Sequence, residues 1–110
     1  MPIHYTPEFK QQIRRLGRRY RSIRQDLQGL IEQLQAGEVP GDQISGVGFT
    51  VYKARIKNRD ARKGKSGGYR VIYYVKTHAD IILLSIYSKS DQADITADTV
   101  RRILNAYQGQ

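Results

Sequence analysis

The side chains with the most chemical potential in this sequence are cations, and they are unevenly placed. Residues Lys53 to Arg70 hold eight of them (Lys53, Arg55, Lys57, Arg59, Arg62, Lys63, Lys65 and Arg70) against a single acid, Asp60. From Thr50 to Lys57 the chain alternates, with Tyr52, Ala54 and Ile56 on one face and Lys53, Arg55 and Lys57 on the other. That is the pattern of a half-buried strand. Like charges about 7 Å apart on one strand face repel each other, and nothing nearby in the sequence neutralises these. Such a face makes sense where phosphates supply the missing charge. The competing explanation is that lysines guard an edge strand against aggregation. The following loop, Arg62-Lys63-Gly64-Lys65-Ser66-Gly67-Gly68, offers further cations and backbone N–H donors to a phosphate. It lacks Walker spacing and leads into a strand, so no nucleotide-triphosphate site is predicted.

Other catalytic chemistries have little support. There is no cysteine, hence no disulfide, thiolate metal site or thiol nucleophile. The two histidines, His4 and His78, do not lie at metal-ligand spacing, and the acids form neither an HExxH nor a paired-aspartate pattern. No metal and no cofactor are expected, and no nucleophile elbow is present. An enzyme built this way would rest on Lys, Arg and Tyr. Such groups suffice to cleave RNA, whose 2′-hydroxyl is a built-in nucleophile beside each phosphate. The protein must hold that hydroxyl in line and neutralise charge on the phosphorane and leaving oxygen. Arginine forks suit the equatorial oxygens. A lysine whose pKa is lowered by neighbouring cations would accept the hydroxyl proton.

The whole chain agrees with an anionic partner. Its 110 residues carry nineteen Lys and Arg against ten Asp and Glu, a formal charge of +9. A hydrophobic content of 39% with eight Tyr and two Phe is ample for one folded core, so residues 1–110 are read as a single domain. The longest aliphatic run, Ile81 to Leu84, is far too short to span a membrane, and Met1 to Lys10 has no apolar signal core. A soluble, cytoplasmic protein with no membrane partner is expected.

The elements that must position the cations follow from periodicity. Thr6-Pro7-Glu8 is a helix start, with Thr6 as N-cap and Pro7 at the first helical position. Phe9, Ile13, Leu16, Tyr20, Ile23, Leu27, Leu30 and Leu34 then recur at spacings of four and three. One long helix fits that seam, and so does a helical hairpin breaking near Arg21. Ser22-Ile23-Arg24-Gln25 resembles a capping box and favours the hairpin. This region also holds seven cations from Lys10 to Arg24 and no acid, which suits either a solvated helix face or a partner surface. Gly37 ends the helices, and Pro40-Gly41 turns the chain. Tyr69 to Lys76 and Asp80 to Tyr87 read as strands joined by Thr77-His78-Ala79. The continuous apolarity of Ile81 to Leu84 implies cover on both faces. Thr96 to Tyr107 is a final helix, with Thr96 as cap. The predicted class is α+β, with an N-terminal helical hairpin and a C-terminal helix packed on a small antiparallel sheet.

Lys65-Ser66-Gly67-Gly68-Tyr69-Arg70-Val71-Ile72-Tyr73-Tyr74, followed by Leu84-Ser85-Ile86-Tyr87-Ser88-Lys89, resembles the RelE/HigB toxins of bacterial type II toxin–antitoxin systems, and most closely the HigB branch. The resemblance covers roughly Val47 to Leu104 and implies the same α+β fold. It implies a ribosome-dependent endoribonuclease that cuts mRNA, arrests translation and is neutralised by a cognate antitoxin of helix-turn-helix type. On that resemblance Lys53 and Arg55 are catalytic cations, Arg70 stabilises the scissile phosphate, and Lys89 is the basic residue after the last strand. Lys57, Arg59, Arg62, Lys63 and Lys65 are expected to bind RNA. Some members carry a catalytic Tyr at the start of the C-terminal helix, where this chain has Asp94-Ile95-Thr96, which makes Lys53 or Lys89 the candidate general base. Two other functions fit the sequence less well: a ParE-like gyrase poison without nuclease activity, and a non-catalytic RNA- or ribosome-binding module.

Overall fold

A computed structural model of the chain describes residues 2–61, 68–77 and 79–108. Its elements run β1 (Ile3–Tyr5), α1 (Pro7–Gly17), α2 (Ile23–Gln35), β2 (Asp42–Gln43), β3 (Val51–Ile56), β4 (Tyr69–Thr77), β5 (Asp80–Ser88) and α3 (Ala97–Gln108). The helical region is therefore a hairpin, and the class is the expected α+β. The sheet order is β1-β5-β4-β3-β2. Strands β3 to β5 pair antiparallel, as predicted, and the two-residue β2, in a stretch read from the sequence as turn and loop, adds to β3 in the same sense. The edge strand β1 departs from that expectation: it pairs with β5 in parallel, Ile3 opposite Ile81 and Tyr5 opposite Leu83. Where β1 ends, α1 takes over the edge of β5. The Thr6 N–H reaches the Leu83 carbonyl at 3.1 Å, and the Gln12 side-chain oxygen accepts from the Ile86 N–H at 2.8 Å. Edge groups of β5 that would otherwise be orphaned are thus satisfied.

The helix starts follow local chemistry. The Thr6 hydroxyl accepts from the Phe9 N–H at 3.0 Å, and Pro7 opens α1. The capping box expected at Ser22 does not form, because Ser22 makes no side-chain cap bond. Its place is taken from outside the helix: the Asp60 carboxylate accepts from the Ser22 N–H at 2.6 Å. A remote carboxylate supplies the negative charge that a helix start favours. At the other helix, the Thr99 N–H donates to Thr96 Oγ1 at 3.1 Å, as the sequence predicts.

The sheet is covered on both faces. Phe9, Ile13 and Leu16 of α1 and Ile23, Leu27, Leu30 and Leu34 of α2 pack with Ala54, Tyr69, Val71, Tyr73 and Leu83 on one face. On the other, Val100, Ile103 and Leu104 of α3 pack with Val51, Ile72, Ile82 and Leu84. The double cover explains the unbroken apolar run in β5. No helix among the described residues is long and apolar enough to cross a membrane.

Candidate nucleic-acid interface at the end of the sheet

Strand register gathers three of the four expected catalytic residues. Arg55 on β3 lies directly opposite Arg70 on β4, and Arg70 lies opposite Tyr87 on β5. These three form one row across three adjacent strands, on the face that α3 covers further along. Lys53 stands two residues before Arg55 and therefore shares its face. Two guanidinium-bearing residues placed directly opposite across a ladder destabilise the pair. Arg70 is nonetheless only 8% exposed, and its Nη1 donates to the Tyr69 carbonyl at 3.3 Å. Burial of Arg70 brings it into a medium where each electrostatic contact is stronger than in water.

Two residues not singled out from the sequence complete the cluster. Asp94, just before α3, receives a hydrogen bond from Lys53 Nζ at 3.0 Å and one from the Tyr87 hydroxyl at 3.4 Å. Its carboxyl is held below the usual carboxylate range, first by the Ile95 backbone N–H and then by Lys53. Burial raises Tyr87 to about 12, with Asp94 adding to the shift and Arg70 opposing it. Tyr87 is therefore a neutral hydroxyl at physiological pH, a proton donor and not an anion. The carboxylate beside Lys53 suits an ammonium acting as a hydrogen-bond donor.

Glycines let the backbone close around this strand. Gly41 has φ +97°, and a Cβ there would stand 2.3 Å from the Lys53 carbonyl oxygen. Gly68, with φ +55°, would place a Cβ 2.3 Å from the Ile56 carbonyl oxygen. Both positions demand a residue with no side chain. They bring the chain against the beginning and the end of the stretch that carries Lys53 and Arg55.

The remaining expected residues are distributed differently. Lys89 follows β5 and is exposed; its N–H donates to the Gly68 carbonyl at 2.9 Å, which ties the end of β5 to the start of β4. Lys57 is exposed just past β3. Arg59 lies apart from the row: its Nε donates to Asp26 Oδ1 at 2.6 Å and its Nη1 to the Gln25 side chain at 3.3 Å. With Asp60 on Ser22, this pins the segment after β3 to the start of α2. Arg62, Lys63 and Lys65 fall outside the described residues. Among the described residues no group of His, Asp and Glu is placed to hold a metal ion.

A helical hairpin under one face of the sheet, a C-terminal helix on the other and cations at the sheet's end make up one class of small α+β domain. Within that class the chain belongs to the RelE family: the family model described as the RelE toxin of the RelE / RelB toxin-antitoxin system matches residues 8–108. The match takes in α1 from its second residue and every element after it, and leaves β1 outside. Membership implies a cognate antitoxin as partner.

Proposed function

We propose that this toxin is a ribosome-dependent endoribonuclease that cleaves mRNA and so stops translation, with affinity to the HigB branch of the family. The observation that supports the reading is the row Arg55–Arg70–Tyr87 with Lys53 beside it, a set of donors converging on one face at the end of the sheet. In this reading the substrate's 2′-oxygen attacks the adjacent phosphorus, and the bond from phosphorus to the 5′-oxygen breaks. The products are a 2′,3′-cyclic phosphate and a free 5′-hydroxyl. Arg55 and Arg70 hold the equatorial oxygens and neutralise charge as the phosphorane forms. Lys53 contributes a third positive donor. Tyr87 hands its proton to the departing 5′-oxygen, a role suited to a hydroxyl that stays protonated at neutral pH. Lys89 is exposed and has no carboxylate partner among the described residues, and it or Lys53 takes the proton from the 2′-hydroxyl. Lys57, Arg62, Lys63 and Lys65 bind flanking phosphates, and Arg59 ties the chain just past β3 to α2.

The test is cleavage of mRNA on purified ribosomes by wild type, Arg70→Ala and Arg70→Lys. Loss of one transition-state contact lowers the rate by about a hundredfold or more, and lysine restores little because it lacks the bidentate fork. Undiminished cleavage by a folded Arg70→Ala protein would remove the reading. So would intact mRNA accompanied by a block of DNA supercoiling, which is the signature of a gyrase poison.

A further inference from the structure

Of the four expected catalytic cations, Lys89 alone lies outside the strands, in the turn that leaves β5. The bonds within that turn are local. The N–H groups of Asp91 and Gln92 both donate to the Ser88 carbonyl, at 3.0 and 3.1 Å, and the Ser88 and Ser90 hydroxyls meet at 2.8 Å. The Lys89 N–H reaches the Gly68 carbonyl at 2.9 Å. Residues Lys89 to Gln92 are nonetheless all exposed, and an exposed turn opens readily.

A hold on the body of the protein comes from the junction between α1 and α2. Arg19 Nη2 donates to Asp91 Oδ2 at 2.8 Å, across 72 residues of chain. Seven cations lie between Lys10 and Arg24, and Arg19 is the one that forms an ion pair among the described residues. Its guanidinium is itself fixed in place. The central carbon stands 4.6 Å from the centroid of the Tyr20 ring, and Nη2 also donates to the Tyr20 hydroxyl at 2.7 Å. The Tyr20 ring in turn meets the ring of Tyr69 edge-on, with centroids 5.8 Å apart. Tyr69 is fully buried and opens β4, opposite Ile56 at the end of β3 and Ser88 at the end of β5. A continuous path therefore runs from the core through Tyr20 and Arg19 to Asp91, two residues past Lys89. The same junction grips the segment after β3, where Asp60 takes the Ser22 N–H. Both chain segments that leave this end of the sheet are thus tied to one helical corner.

The Arg19–Asp91 pair is solvated, its side chains 55% and 46% exposed, so it adds little to stability. Placement is a different matter. A small displacement of a reacting group costs rate even where it costs nothing in folding.

We propose that Arg19 is a positioning residue of this toxin: by holding Asp91 it fixes the turn after β5 and so places Lys89 beside the row Arg55–Arg70–Tyr87. The proposal rests on the nuclease reading above. Arg19 acts through Asp91 and the turn, and makes no contact with RNA in this role.

The test is single-turnover cleavage of mRNA on purified ribosomes, with ribosome concentration varied so that maximal rate and half-saturation are read separately. Wild type is compared with Arg19→Ala, Asp91→Asn, the two combined, and the reversed pair Arg19→Asp/Asp91→Arg. Both positions are exposed, and circular dichroism verifies the fold. Each single variant is expected to lower the maximal rate about tenfold and to leave half-saturation unchanged. The combined variant should be no slower than either single one, because both remove the same contact. The reversed pair should cleave faster than either. A wild-type maximal rate in Asp91→Asn would overturn the proposal, as would additive losses in the combined variant. Weaker half-saturation in Arg19→Ala alone would overturn it too and assign Arg19 to ribosomal RNA. Amide exchange of Asp91 and Gln92 in the free protein reads the tie without catalysis. Exchange at least about threefold faster in both single variants is expected, and unchanged exchange would overturn the proposal. Wild type that leaves mRNA intact would sink the nuclease reading, while the exchange measurement still decides whether Arg19 fixes the turn.

Discussion

Asp94 holds Lys53 at 3.0 Å although 41 residues separate them. The same carboxylate takes the Tyr87 hydroxyl, so one acid from the approach to α3 organises two strands of the sheet. In the free protein it occupies a position beside Lys53 that an RNA phosphate would contest. Replacing Asp94 with Asn is expected to tighten RNA binding, because a repelling charge is removed and Lys53 is released. Single-stranded RNA affinity at two salt concentrations measures this, and weaker binding by the variant would show that Asp94 positions Lys53 productively.

Acid stability provides a separate reading of the same contact. The Asp94 carboxyl is depressed in the fold, so its contribution is fully present above the unfolded value near 4 and is lost as pH falls through the lower folded value. Its side chain is 64% exposed, which limits the pair to about 0–1 kcal/mol. Asp94→Asn should flatten the decline in urea-unfolding stability below about pH 4 while changing stability at pH 7 only slightly. A slope identical to wild type would assign acid sensitivity to other carboxylates.

Tyr87→Phe removes one hydroxyl from the row and leaves the ring in place. Cleavage is expected to fall by about a hundredfold, at the low end of general acid effects, with the melting temperature little changed. Because Tyr87 titrates at about 12, single-turnover rates should show no loss of this donor between pH 7 and about 9. A variant as active as wild type would free Tyr87 from any part in proton transfer.

Tyr69 is fully buried, and its hydroxyl finds no hydrogen-bond partner among the described residues. Burial drives its pKa upward. An unpaired buried hydroxyl costs about 1–3 kcal/mol, so Tyr69→Phe is expected to stabilise the protein by about 1 kcal/mol and to raise the melting temperature by several degrees. It should also blunt alkaline unfolding. A group raised in the fold stabilises fully below its unfolded value, near 10, and loses that contribution as pH climbs toward the folded one. Calorimetry at pH 7 and pH 10.5 tests both parts, and destabilisation would reveal a partner for this oxygen.

Gly41→Ala and Gly68→Ala are expected to cost at least about 1–3 kcal/mol each through backbone strain alone, with further loss from the clash against the carbonyls of Lys53 and Ile56. Chemical denaturation gives the magnitude. Gly68→Ala should also depress cleavage beyond its effect on stability, because Gly68 leads directly into the strand that carries Arg70.

Much of this architecture can be read from local patterns. Thr6-Pro7 announces α1, alternation in β3 separates Lys53 and Arg55 from Ala54, and helical spacing locates α3. What escapes is long-range. β1 is three residues long, and its pairing partner lies beyond residue 80. The start of α2 depends on Asp60 and not on its own Ser22. Tyr87 joins the arginines only through strand register, which includes an irregularity between Ile72 and Tyr73 that no simple count of alternation anticipates. Asp94 enters from a segment whose own sequence shows only an acid near a helix start. The cations of β3 seem unneutralised when only their neighbours in sequence are counted, and Arg59 looks like one more of them until Asp26 is placed against it.

The pairing of β1 with β5 has a bearing on how the protein comes into being. Ile3 meets Ile81, and the Thr6 hydroxyl meets the Leu84 carbonyl across 78 residues. Contacts of such separation are made late, after costly loop closure. A nascent chain that has not yet released its fifth strand has no mate for its first and neither Tyr87 nor Asp94 to offer Lys53. The donors at the end of the sheet are therefore assembled only once β5 and the approach to α3 have been made.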